Sequence, residues 1–209
     1  MNPPRLLDVT DLPEVGWDSK APLWWANICL LVIETTMFAI LAASYFYVRM
    51  NFQEWPPPRV NRLPVLYDTN PNLCWATVNT ALLLFSCIPV ILLDKAARRL
   101  DSTGVKRGLL LLIASGCVAI AIRFVEFREV HFSWDDNAYA SVVWMLLGAH
   151  LLHLVVASLE GFVTATHLFT HALDEKRALD VTVSCAYWYW VVGIWLVTYG
   201  LVYFGARWL

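Results

Sequence analysis

The chain has 209 residues, 59% of them hydrophobic and only 15% charged, proportions outside those of ordinary soluble domains. A net charge of −2, with the charges confined to short stretches between apolar runs, argues against any nucleic-acid partner and for an integral membrane protein. Residues 1–22 hold Pro3, Pro4, Pro13 and Pro22 among acidic groups and have no apolar core, so they read as a cytoplasmic N-terminal segment and not as a cleavable signal.

Residues 23–209 read as one membrane domain. Five runs reach the roughly 20 apolar residues that a bilayer requires: about Leu23 to Val48, Cys74 to Leu93, Gly108 to Val130, Tyr139 to Thr166 and Val183 to Gly205. The expected fold is all-α, a polytopic bundle of five transmembrane helices. Lysine and arginine in the short links favour the side holding Arg5, Lys20, Lys95, Arg98, Arg99, Lys106, Arg107, Lys176 and Arg177 over the side holding Arg49, Arg59, Arg62, Arg128 and Arg207. The positive-inside rule then places the N-terminus inside and the C-terminus outside.

The first helix opens on Trp24-Trp25, an aromatic pair suited to the membrane interface. Glu34 follows 11 residues in, about 16 Å deep at 1.5 Å per residue. After the helix, WPPP at residues 55–58 and further prolines predict an external loop. The second helix starts from that side with Asn79 and Thr80 in its first two turns, and Pro89 should bend its end. Residues Asp101 to Lys106 are expected to form the turn to the third helix. That helix carries Arg123 and Glu126 three apart, on one face, as an ion pair near the outer interface or as a contact for a partner or a lipid head group.

The fourth helix carries the strongest signal. His150, His153 and Glu160 stand in an apolar span where ionisable groups must face protein, water or one another. His153 and Glu160, seven apart, lie nearly in line, while Ala157, Gly161 and Ala165 recur every fourth residue, a spacing that lets a neighbouring helix approach closely. Counted along the helices, His150 lies at the depth of Glu34, so a contact from Glu34 to His150 or His153 is expected. Three readings of this group stay open. It is a hydrogen-bonded cluster fixing helix register, a metal site with two histidine nitrogens and a carboxylate, or a proton-handling site. The fifth helix, opening CAYWYWVVGIWL, should pack several rings against other helices or another subunit.

The five cysteines, at 29, 74, 87, 117 and 185, have no CxxC spacing and read as small buried apolar residues. No HExxH, GxSxG, Walker or GxGxxG pattern occurs, so hydrolase and nucleotide chemistry find no support.

An ordered series of motifs adds a resemblance. Trp24-Trp25 is followed by IETTMF with Glu34, WPPP, VNTALLLFS with Asn79 and Thr80, FVEF with Glu126, GAHLLH with His150 and His153, and YWYWVVGIWL. From Trp24 onward the chain resembles subunit III of haem-copper terminal oxidases, the cytochrome c oxidase type, in a five-helix form in place of the family's seven. The resemblance implies an accessory subunit without a redox centre. Haem and copper are expected in partner subunits, the catalytic subunit I and the copper-carrying subunit II, with cytochrome c an indirect partner. It also implies bound phospholipid, support of proton uptake and of turnover stability, and a place in a bacterial cytoplasmic membrane. Tyr189, Val192 and Arg123 depart from the histidine, aspartate and glutamine common in that family. Rival readings are an accessory subunit of nitric oxide reductase or of a quinol oxidase, and a small proton channel or transporter.

Overall fold

The computed structural model describes residues 21–57 and 70–208. The expected N-terminal segment lies almost entirely outside the described residues, as do Pro58 and four of the cations behind the expected orientation: Arg5, Lys20, Arg59 and Arg62. The described residues form α1 (Pro22–Arg49), α2 (Leu73–Arg98), α3 (Ser102–Glu129), α4 (Ala138–Thr170) and α5 (Glu175–Tyr199). A π-helical turn, Gly200–Phe204, and a last α-helical turn, Gly205–Trp208, extend α5. All five helices are long and apolar enough to cross a membrane, and no strand occurs among the described residues. This chain is an integral membrane protein. The face at which α1 begins is called the N-side below, and the face at which α5 ends the C-side.

Each helix outruns its apolar core because polar caps and charged turns extend it beyond the hydrocarbon. The largest correction is at the α2–α3 link, where α3 begins at Ser102 and not at Gly108, so the expected Asp101–Lys106 turn is mostly helix. The true turn is Arg99, Leu100 and Asp101. Asp101 N–H donates to Ala96 C=O at 3.0 Å and Leu100 N–H to Ala97 C=O at 3.0 Å. This doubly bonded helix stop leaves Leu100 at φ 54°, a left-handed position more often glycine. The Asp101 carboxylate then accepts from Thr103 N–H at 3.1 Å, so one residue ends α2 and caps α3.

A ladder of side-chain hydrogen bonds fastens α2 to α5. Thr77 shares a 2.8 Å bond with Tyr199, Trp195 Nε1 donates to Thr80 Oγ1 at 2.8 Å, and Trp188 Nε1 donates to Ser86 Oγ at 3.0 Å. As the α2 partner advances, the α5 partner retreats in step, as antiparallel helices require. The expected aromatic packing of α5 is thus realised inside this chain, with Trp188 and Trp195 among its largest fully buried side chains.

Small residues set the distance between α3 and α4. A Cβ on Gly161 would stand 2.6 Å from Leu112 Cδ2, and one on Gly116 would stand 2.3 Å from Ser158 Oγ, so both crossings depend on glycine. Ala157 and Ala165 are buried on the same stripe of α4 as Gly161. The cysteines differ from expectation. All five are free, but only Cys185 is buried, whereas Cys29, Cys74 and Cys117 are exposed on the bundle exterior. A bilayer makes that exterior apolar too, so a small apolar residue is equally at home there.

The helix α1 stands apart. Three of its residues are buried, Asn27, Phe38 and Tyr45, against thirteen in α4. It is tied to the rest near its two ends and at its middle. At the N-side Ala21 and Trp24 pack on Leu179 and Val183. At the C-side Tyr45 contacts Tyr139, and Trp55 of the WPPP loop donates to Tyr45 Oη at 3.1 Å. At the middle, Trp190 Nε1 donates to Thr35 Oγ1 at 2.8 Å.

Candidate functional site

The structure divides the expected mid-membrane cluster in two. His150 does not meet Glu34. It turns instead to α3, where Arg123 Nη2 donates to its Nδ1 at 3.2 Å. A guanidinium has donors only, so the His150 ring proton must sit on Nε2, which lies 3.2 Å from the Val191 carbonyl oxygen. The depth count misplaced His150 because α4 is a 33-residue helix. His150 stands 20 residues from the N-side end of α4 and Glu34 only 12 from that of α1, a difference of about 12 Å along the axis.

Arg123 and Glu126 form an ion pair within six residues of the C-side end of α3, inside the protein. Both are fully enclosed, and Arg123 Nη1 reaches the two carboxylate oxygens at 2.7 and 2.8 Å. The Trp195 ring lies 3.6 Å beneath the guanidinium carbon, and the Asn79 amide adjoins the Glu126 carboxylate. The Tyr203 hydroxyl donates to Glu126 Oε1. Tyr203 belongs to the π-helical turn, whose extra residue changes the direction in which the following side chains leave α5. The structure places Asn79, Arg123 and Glu126 beside one another. No lipid head group can reach them through the protein that encloses them. Trp195 and Tyr203 were not singled out from the sequence, and no local motif distinguishes them from the other rings of α5.

Glu34 meets His153, with Oε1 3.8 Å from Nε2. His153 Nδ1 lies 2.6 Å from the Ala149 carbonyl oxygen, which accepts only, so Nδ1 carries a proton and Nε2 faces the carboxyl. Phe38 and Trp190 flank the imidazole, with ring centroids 5.2 and 5.4 Å away. Deeper toward the N-side, Glu160 Oε1 accepts from Ser184 Oγ at 2.7 Å. Glu160 and Ser184 also line a cleft of about 280 Å³ together with His167, Arg177 and Asp180. Asp180, Ser184 and Tyr187 were overlooked in the sequence, although their i, i+4, i+7 spacing places them on one face of α5.

Both histidines of the GAHLLH motif thus have each ring nitrogen directed at a protein group. Among the described residues, no group of three or more histidine, cysteine or acidic side chains is arranged to hold a metal ion. A sequence profile of cytochrome c oxidase subunit III matches residues 20–207. The chain belongs to the cytochrome c oxidase subunit III family. It is 25% identical over 182 residues to cytochrome c oxidase subunit 3 of Thermostichus vulcanus, covering 86% of both chains. Against the same subunit of Synechocystis sp. it is 25% identical, covering 84% of this chain and 72% of that one. Against that of Petromyzon marinus it is 26% identical over 71% of this chain and 54% of the other. The chain spans about half the length of the vertebrate relatives it matches. Membership of this family implies a complex with other oxidase subunits.

Proposed function

We propose that this chain is the accessory, non-redox subunit III of a respiratory haem-copper cytochrome c oxidase. It packs on the catalytic subunit I beside the copper-carrying subunit II, and those partners hold the haem and copper. Cytochrome c meets the complex through them. The N-side faces the cytoplasm of a bacterial cell. The observation that supports this reading best is the family match across nearly the whole chain, combined with histidines whose nitrogens are already directed at Arg123, Val191, Ala149 and Glu34. Such imidazoles serve helix register and proton balance.

The loosely held α1 supports the lipid part of the reading. Between α1 and α5 runs an apolar groove of about 170 Å³ walled by Phe38, Ala39, Ala42, Leu146, Ile194 and Val197, and it has the lining an acyl chain requires. The polar groups of the α1, α4 and α5 seam support a role in proton uptake by the complex, because ionisable groups inside a membrane mark proton paths.

Gentle detergent purification, with a visible spectrum and mass spectrometry of co-eluting chains and lipids, tests the proposal. Haem absorbance, a copper-binding partner and co-eluting phospholipid are expected. Isolation of the chain without any redox partner, or iron or copper bound by this polypeptide, would overturn it.

A further inference from the structure

The α2–α3 link carries five cations at the N-side, Lys95, Arg98, Arg99, Lys106 and Arg107, and they are not used alike. Arg98 Nε donates to Asp94 Oδ2 at 3.1 Å, and the Lys106 ammonium stands 5.3 Å from the Phe169 ring centroid. Lys95, Arg99 and Arg107 are exposed and enter no ion pair among the described residues. All three line one cleft of about 340 Å³ between α2 and α3. Asp101 is the single carboxylate in its wall, and its Oδ1 already accepts from Thr103 N–H at the head of α3. Orienting a chain in a membrane requires cations on this side, but not the convergence of three of them on one cleft.

The cleft changes character with depth. Arg99 lies in the turn, Lys95 about 5 Å inward from the end of α2 and Arg107 about 8 Å inward from the start of α3, at 1.5 Å per residue. Further in, the wall is apolar, with Leu92 about 9 Å from the end of α2 and Pro89 and Leu111 about 14 Å from the ends of their helices. At the back Gly108 lets α3 close against α2, since a Cβ there would stand 2.8 Å from Leu93 Cβ. The cations thus stand at the level of the membrane's polar region and the apolar wall at that of its hydrocarbon. A phospholipid has this order along its own length, phosphate first and acyl chain after. A free phosphate would fill only the mouth, and an extended acidic peptide would bring unpaired backbone polar groups to the apolar part. With three cations against one engaged carboxylate, the mouth favours a head group of net negative charge over a zwitterionic one.

We propose that Lys95, Arg99 and Arg107 hold the phosphate of an anionic phospholipid, one acyl chain of which descends along Leu92, Pro89 and Leu111. The site lies between other helices than the apolar groove of α1 and α5. It deepens the lipid part of the proposed function by naming a head-group class, and it rests on that reading only for the oxidase complex that carries the lipid.

Photo-crosslinking in the intact complex tests the site. The complex is placed in nanodiscs of phosphatidylcholine doped with a probe, either phosphatidylglycerol or phosphatidylcholine bearing a diazirine in one acyl chain. The phosphatidylglycerol probe is expected to label peptides containing Pro89, Leu92 or Leu111 at least about five-fold more than the phosphatidylcholine probe, the contribution of one cation near an anionic head group. Lys95→Gln, Arg99→Gln and Arg107→Gln together should bring the two probes level, while Arg99→Lys with Arg107→Lys keeps the excess. Equal labelling of the wild-type complex would overturn the proposal. So would loss of the excess on adding inorganic phosphate at constant ionic strength, which would mean a site for a free anion. Failure of both probes to label these peptides would overturn it too, and would mean that another subunit covers the cleft. If the variants do not assemble, the wild-type ratio decides alone. A haem-containing complex with equal labelling defeats this inference alone. Selective labelling in a chain that never co-purifies with a redox partner defeats the proposed function alone.

Discussion

Two buried polar groups occupy this bundle at different levels, and they are built on opposite terms. Toward the C-side, Arg123 and Glu126 carry opposite charges, and Tyr203, His150, Asn79 and Trp195 close around them from three other helices. Toward the N-side, Glu34 and Glu160 have like charge, one histidine 3.8 Å from Glu34, and a cleft leading to Glu160. The first arrangement joins α2, α3, α4 and α5 through side chains of all four. The second sits where the weakly held α1 closes the bundle.

The sharpest way to break this contrast is to unpair the opposite charges. Glu126→Leu leaves Arg123 enclosed without its counter-ion and is expected to cost about 3–5 kcal/mol, seen as loss of folded protein after detergent extraction. Arg123→Met with Glu126→Leu should recover most of that stability. A single substitution as stable as wild type would mean that the pair does not hold the helices. Next in size is Gly161→Leu, which forces bulk against Leu112 where α3 crosses α4. A loss of about 1–3 kcal/mol is expected, read as a lower thermal midpoint and poorer recovery of the complex, with partial relief by Leu112→Ala. Wild-type behaviour would show that this face of α4 looks at lipid.

A smaller effect is expected at the middle tie of α1. Trp190→Phe removes the bond to Thr35 and should cost about 0.6 kcal/mol, detectable as faster protease or exchange access to α1 with α2–α5 unaffected. Smallest is Glu34→Gln. Assembly, haem content and stability of the complex should match wild type, with at most a modest fall in sustained turnover. Complete loss of oxidase chemistry would mean that Glu34 has been misjudged. Together the two ends of this series, Glu126 and Glu34, separate a carboxylate that builds the protein from one that serves it.

How much of this could be read beforehand follows from what sequence encodes. Apolar run length and the spacing of Ala157, Gly161 and Ala165 reveal five spans and a close-packed face, because both are properties of single helices. The family motifs were legible for the same reason, each lying within one helix or loop. The partner of His150 was not legible, because it depends on the relative height and rotation of α1, α3 and α4. A height difference of about 12 Å between His150 and Glu34 gives His150 to Arg123. Tyr203 was hidden by its π-helical turn, which a regular helical period does not foresee.

The sequence by itself determined that this chain crosses a membrane with five helices and carries charges that hydrocarbon will not accept. Only the tertiary structure decided which charges meet. Burial forces a polar side chain to find some partner, and the crossing geometry of the helices alone selects the one within reach.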